Sequence, residues 1–550
     1  MSNFLFDRLK ILQVGLLLAG WIGFIYFASS ILFFFDVAIS APSCWLVNLV
    51  YIAVVVFYFF RTKQVAHYSE IAYLLSASLI LIIISLLISR WFIDYSYDGQ
   101  AYHGEAIIKI SNGWNPNYEH IPGDGIITLV INHFAKASWI AGGFLFKLTG
   151  NFECAKAGNI ILMIANFYIA FYLFTKWFAN KFISVILAAL LACNPVWLNM
   201  YLGNMLDSQV ANAMYIFILL MIISLTEKKV FVIPFLYFVI IYSTNLKFTV
   251  VAYNIIFIAA IILFLLIRKI FSQHRPLAIH LCFAMLIAVA VTGYQTYIKN
   301  TVEHGHPFYP FKGKNNVSDS TSVLAMDYRK GNSVINFIKS NFAATTYNQA
   351  YTQHLQYKIP FTVSRYELER FAFSGVIIGG FGVWFSGVII ISLLMLVWLT
   401  FINRRKIFTE YFPFYFFIGA IVVSILINPY AYIARYVPQY YLIPFAALLL
   451  WWLTFKKKGV IFYMLIIVMI INSLLISGYT YYNVVVSKKV KEQLIDLKTK
   501  NKKVLVNFRA HTSKSALFDE YKIPYRQVDT FSNKVIPDTL FRSEVIYSAE

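Results

Sequence analysis

The sequence predicts an all-α polytopic membrane protein with about thirteen transmembrane helices. Three observations carry this expectation. Of 550 residues, 60% are hydrophobic and 13% are charged, whereas a soluble domain carries about 25% charged residues. Apolar runs such as Leu79–Ser89 (LILIIISLLIS) sit inside longer stretches, and a spanning helix needs about 20 apolar residues. The loops between these stretches are basic on alternate sides, which is the orientation signal of membrane chains.

The spans are expected at roughly 12–35, 43–60, 70–93, 156–176, 182–199, 208–226, 230–243, 248–267, 277–297, 373–402, 411–427, 437–454 and 459–482. Arg8 and Lys10 precede the first run, which is too long for a signal-peptide core and lacks a small-residue cleavage site. It reads as an uncleaved span. One side of the membrane then collects Arg8 and Lys10, Arg61 and Lys63, Lys176 and Lys181, and Lys228 and Lys229. Arg268, Lys269 and Arg275 join them, as do Arg404 to Lys406 and Lys456 to Lys458. This face is expected to be cytoplasmic, with the N-terminus inside. Lys488, Lys489 and Lys491 after the last span run against the rule, which long tails obey poorly.

The remaining chain divides into a transmembrane domain, 1–482, with outer loops 94–155 and 298–372, and a C-terminal tail, 483–550, expected outside. Residues 124–150 are apolar but interrupted by His133, Lys136 and Lys147. A span there would invert every later loop, so the segment reads as a helix lying at the outer interface. The tail combines a Lys-rich helical stretch with a strand pattern at Lys503–Phe508 (KVLVNF). The net charge of +21 does not indicate nucleic acid, because the Lys and Arg residues lie mostly in short loops. Anionic substrates and membrane lipids are compatible with it. The four cysteines, Cys44, Cys154, Cys193 and Cys282, show no metal or disulfide spacing.

Chemistry concentrates directly after the third apolar run, in Asp94-Tyr-Ser-Tyr-Asp98-Gly-Gln-Ala-Tyr102-His103-Gly-Glu105. In a helix, Asp94, Asp98, Tyr102 and Glu105 would share one face. Acids at a membrane edge are costly unless used or solvated. They fit either a general base for an acceptor hydroxyl or a solvated helix cap. Three later motifs attract attention. Asn194-Pro195 leads to Tyr201 and Asp207-Ser208, where Asp207 is a second acid or a helix N-cap. Asn245-Leu-Lys247-Phe-Thr249 puts a lysine between two apolar segments, where it needs an anionic partner. Ala434-Arg435-Tyr436-Val437-Pro438-Gln439 offers an arginine fork for phosphate, or an interfacial anchor.

Asp98-x-x-x-Tyr102, followed by Gly113-Trp114, resembles the GT-C superfamily of integral-membrane glycosyltransferases, which includes lipid A aminoarabinose transferases and protein O-mannosyltransferases. The resemblance runs to about residue 454 and rests on short motifs. It implies that Asp98 is the general base, with Asp94 as the rival. It also implies that Lys247 and Arg435 bind a donor phosphate. Tyr102, His103, Glu105 and Asp207 join the substrate-binding set, with His306 and Tyr309 of the turn His304-Gly-His306-Pro307-Phe308-Tyr309-Pro310. The two histidines of that turn favour a rigid Pro-bounded turn over a metal site. The implied activity is transfer of a hexose or pentose from a polyprenyl-phosphate sugar to a cell-envelope glycan or lipid-linked acceptor such as O-antigen. It is expected at the outer face of a bacterial inner membrane. The motifs assign no cofactor, and a divalent cation is compatible with the acids. No glycine-rich phosphate loop is present, which favours a lipid-linked donor over a nucleotide sugar. Two departures leave the sugar unassigned: two spans precede the one entering the acidic loop, and Gly99 follows Asp98 where the aminoarabinose branch has an acid.

Two other functions compete. An O-antigen polymerase or ligase would carry an arginine-rich outer loop, but loop 298–372 has only Arg329, Arg365 and Arg370. A flippase or transporter of lipid-linked sugars tends to show repeated halves, and no repeat is visible.

Overall fold

The structure is a computed structural model that describes residues 7–123, 125–227, 229–316, 326–328, 331–346, 354–376, 378–500, 503–531 and 537–549. Lys228 and Arg329 lie outside the described residues. Of the described residues, 71% are helical. Among the described residues, nine helices are long and apolar enough to cross a membrane: Arg8–Phe34, Ala41–Arg61, Tyr68–Trp91, Phe152–Phe178, Asp207–Glu227, Phe248–Ile267, Phe271–Thr292, Phe385–Ile402 and Val460–Lys500. Shorter apolar helices occupy Lys181–Ala192, Val230–Thr244 and Phe412–Leu426, and Leu442–Phe455 is a further helix. The protein is a multi-pass membrane protein.

Burial separates a centre from a rim. The helices starting at Arg8, Phe152 and Asp207 are largely enclosed, whereas Ala41–Arg61 and Tyr68–Trp91 expose most of their apolar surface. Leu79, Ile80 and Leu87 are each more than half exposed, a cost in water that lipid removes. Small residues let the central helices approach closely. A Cβ on Gly15 would fall 2.8 Å from Ile169, and one on Gly23 would fall 2.6 Å from the Phe238 carbonyl oxygen. The Asn166 amide donates to Asn212 Oδ1 at 2.7 Å, a polar link inside the same bundle.

Four expected elements differ from the structure. The fifth span, expected to reach residue 199, stops at Ala192, and Asn194 caps the separate turn Pro195–Leu198 by accepting from Trp197 N. The tenth span starts at Phe385, not near residue 373. Gly379 and Gly382 have φ of +61° and +113°, which a helix cannot continue through, and Asn472 Oδ1 caps the new start by accepting from Trp384 N. The helix from Phe271 gives way to π-helical turns at Ala288–Thr292 and Tyr294–Lys299. The Asn245 amide donates to the Ala288 carbonyl at 2.8 Å, and an intruding side chain of this kind opens a helix. Residues 124–150 do not form one surface helix. Ile126–His133 and Ala137–Thr149 are separate helices, and the second is buried from Ala137 to Leu145. Gly142 and Gly143 allow this by admitting Ile107 and Ile110 at close range.

The last long helix continues as Gly478–Lys500 into a small α/β domain. Strands β1 (Val504–Asn507), β2 (Tyr525–Gln527), β3 (Asp538–Thr539) and β4 (Ile546–Ala549) form a sheet in the order β2-β1-β4-β3. β1 runs parallel to β2 and antiparallel to β4. Val504, Val506, Phe508 and Phe518 pack on Val486, Val490 and Leu494, and this core also takes in Ile93, Tyr95 and Leu202. The domain therefore shares a core with the start of the acidic loop.

Candidate active site

Four charged side chains from four distant segments meet where the helices begin. Asp207 opens the helix Asp207–Glu227. Lys247 precedes Phe248–Ile267 in extended conformation. Arg435 lies in the 3-10 turn Ala434–Tyr436, and Asp98 precedes the π turn Gly99–His103. Lys247 Nζ lies 2.5 Å from Asp207 Oδ1. Arg435 Nη1 stands between the acids, 3.5 Å from Asp207 Oδ2 and 3.6 Å from Asp98 Oδ2. Asp207 is buried, whereas the Asp98 side chain is 29% exposed. The buried acid thus anchors both cations, and Asp98 stands at the accessible rim.

Local structure explains each position. The break between the helices ending at Thr244 and starting at Phe248 frees backbone groups that nearby side chains cover. The Asn245 amide donates to the Ile241 carbonyl and the Tyr297 hydroxyl to the Thr244 carbonyl, while Asn254 ties together the Ser243 and Thr244 hydroxyls. Irregular backbone at membrane depth requires such partners. The Arg435 turn is pinned by Tyr253, whose hydroxyl donates to the Tyr436 carbonyl, and by Tyr215, which donates to the Pro438 carbonyl. Asn159 donates to the Tyr201 and Gly203 carbonyls and fixes the approach to Asp207.

The cluster retains binding capacity. Arg435 Nε is buried and has no hydrogen-bond partner among the described residues. Its Nη1 contacts are long for charge-assisted bonds, which run about 2.7–2.9 Å. Burial opposes the Arg435 charge, but Asp207, Tyr436 and Asp98 outweigh it and hold the guanidinium above its ordinary pKa. Gly375 (φ +80°) leaves the neighbouring space open, since a Cβ there would stand 3.6 Å from Arg435 Nη1. Lys247 Nζ lies 3.9 Å from the Tyr436 ring centroid, a cation–π contact.

The remaining residues singled out from the sequence divide. The Tyr102 phenol is pushed up by burial and by Asp98, which places it electrostatically beside the cluster. The His103 ring is buried, and its Nδ1 accepts from Trp139 Nε1 at 2.7 Å. Burial lowers its pKa to about 3, so it is a neutral wall. Glu105 turns away to accept from the Thr512 hydroxyl and to pair with Lys109 at 3.4 Å. Asp94 is fully engaged: Oδ1 accepts from the amide and hydroxyl of Ser96, and Oδ2 accepts from Asn204 N. A Cβ on Gly99 would come within 2.1 Å of Asp94 Oδ2, so Gly99 is there to admit this carboxylate. The shared helical face of Asp94, Asp98, Tyr102 and Glu105 does not form, because residues 93–96 are non-helical and Ala101 breaks the turn (ψ −110°).

His306 and Tyr309 make no hydrogen bond or ion pair with the four charges. His306 Nδ1 accepts from Phe308 N, and the Tyr309 ring stacks on His304 at 3.7 Å. Their turn borders the site through Phe308, which packs 5.5 Å from Phe248, the residue after Lys247. Among the described residues, no group of three or more His, Cys, Asp or Glu side chains forms a metal site.

A second charged cluster, missed from the sequence, supports the acidic loop. Asp94, Glu153, Lys156 and Lys514 are all almost fully buried. Glu153 pairs with Lys156 and accepts from Asp94 N, while Lys514 Nζ donates to the Asp94 carbonyl at 2.5 Å. The Ser513 hydroxyl donates to the Gln100 carbonyl, and Gln100 donates to the Arg542 carbonyl. The C-terminal domain therefore clamps the segment carrying Asp98. Tyr436 was legible as the neighbour of Arg435, but Lys514 lies 420 positions from Asp94 and carries no local signal. No family model matches the chain, and no curated protein matches it.

Proposed function

We propose that the protein is a glycosyltransferase that moves a sugar from a polyprenyl-phosphate donor to a cell-envelope glycan or lipid acceptor. The observation carrying this reading is the meeting of Asp98, Asp207, Lys247 and Arg435 at the mouth of an apolar helical bundle. A lipid-linked phosphosugar needs an apolar path for its chain, cations for its phosphate and a base for the attacking hydroxyl. In this reading Asp98 takes the proton of the acceptor hydroxyl as the oxygen attacks the anomeric carbon. The bond from that carbon to the phosphate oxygen breaks, and polyprenyl phosphate leaves with the electron pair. Lys247 and Arg435 neutralise the developing charge, the kind of term that often dominates catalysis. One displacement gives inversion at the sugar. Asp207 holds the two cations in position, and Tyr102 lines the acceptor side.

Topology belongs to the same proposal. Thirteen helical elements cross the membrane, the basic loops face the cytoplasm of a bacterial inner membrane, and Asp98 and the C-terminal domain face outward. The test is transfer by membranes carrying the protein, supplied with a panel of polyprenyl-phosphate sugars, with wild type compared against Asp98→Asn. A loss of about 10²–10⁴-fold in kcat/KM is expected for removing a general base. Transfer persisting at the wild-type rate would eliminate Asp98 as base, and movement of lipid-linked sugar across the bilayer without a new bond would eliminate the transferase.

A further inference from the structure

A cavity of about 510 Å³ lies between the end of the helix Tyr68–Trp91 and the C-terminal domain. Leu87, Arg90, Trp91, Lys491, Lys498, Glu520 and Tyr521 line it. Three cations face one carboxylate. The Arg90 and Lys498 side chains are exposed, and neither makes a hydrogen bond or ion pair among the described residues. Lys491 donates to the Trp91 carbonyl at 2.7 Å and lies 4.9 Å from that ring, and it retains further donors. Burial, reinforced by Glu153, raises the Glu520 pKa, and the carboxylate already accepts from the Asn151 amide. Two walls are apolar, and Leu87 is 60% exposed on a helix whose surface faces lipid.

We infer that this cavity binds the phosphodiester headgroup of an anionic glycerophospholipid from the adjoining leaflet. The ligand must satisfy uncompensated positive charge and apolar surface at once, at the level where a spanning helix leaves hydrocarbon. Basic pockets beside spanning helices bind lipid phosphate headgroups, and the same charge and apolar complementarity applies at the end of this helix. A soluble anion would match the charge but would leave Leu87 and Trp91 uncovered. The site is separate from the cluster around Asp98 and does not depend on the proposed transfer reaction.

The test is native mass spectrometry of the full chain in detergent, titrated with phosphatidylglycerol, phosphatidylcholine or inorganic phosphate. Selective retention of phosphatidylglycerol is expected. Arg90→Gln with Lys498→Gln should weaken it about thirtyfold, from two cations near a membrane surface. The charge-conserving pair Arg90→Lys and Lys498→Arg should keep it. Unchanged affinity in the glutamine pair, equal retention of both lipids, loss in the charge-conserving pair, or binding of inorganic phosphate without lipid would each overturn the assignment. An unfolding midpoint unchanged from wild type separates lost binding from lost folding.

Discussion

Lys514→Met tests whether the C-terminal domain holds the acidic loop by charge. Asp94, Glu153, Lys156 and Lys514 form a buried set of two anions and two cations with exposures of 1–2%. Burial lowers the Lys514 pKa, and Glu153 and Asp94 oppose that shift. Removing the ammonium leaves one negative charge uncompensated and the Asp94 carbonyl without its 2.5 Å donor. Removing one partner of a buried ion pair costs about 3–5 kcal/mol. Most of the apolar core that the domain shares with the loop comes from the domain's own residues, Val486 to Tyr547, so the expected result is release of the loop with the domain still folded. Hydrogen exchange of residues 93–105 and 511–514 in the full-length protein measures this, and faster exchange by roughly 10²-fold or more corresponds to that cost. Glu153→Gln in the same chain restores neutrality and should recover part of the protection, a coupling readable as a double-mutant cycle. Exchange unchanged in Lys514→Met, or strictly additive effects in the double variant, would refute the clamp.

Other outcomes follow from the same geometry. Arg435→Lys keeps the charge but loses the fork whose Nη1 faces Asp98 and Asp207 and whose Nε lies unpartnered. On the proposed reading the donor KM rises about 10–100-fold, from one lost charge-assisted hydrogen bond of about 1.5–3 kcal/mol, and an unchanged KM in initial-rate assays would contradict it. His511 Nδ1 accepts from Glu544 N at 2.9 Å, so the ring is neutral, and burial with Lys514 lowers its pKa from 6.5 to about 4. Because the folded value lies below the unfolded one, its contribution to stability is complete above pH 6.5 and is lost as pH falls toward about 4. Exchange in the C-terminal domain, corrected for intrinsic rates, should accelerate over that window, and His511→Asn should flatten the dependence.

The membrane character of the chain was legible because composition acts locally: an apolar run of sufficient length needs no tertiary partner to be excluded from water. Asp98, Asp207, Lys247 and Arg435 were also legible, since a charge beside an apolar run is expensive wherever the chain folds. Their arrangement was not. Asp94 and Asp98 look equivalent four residues apart, and only packing against Ser96 and Asn204 consumes one carboxylate while the other stays open. The burial of Ala137–Thr149 likewise depended on glycines meeting Ile107 and Ile110 from another helix. Lys514 reads in sequence as one more lysine in a basic tail. Only the tertiary fold decides its role, because burial beside Asp94 and Glu153 is a property of the space between segments, and no local pattern encodes it.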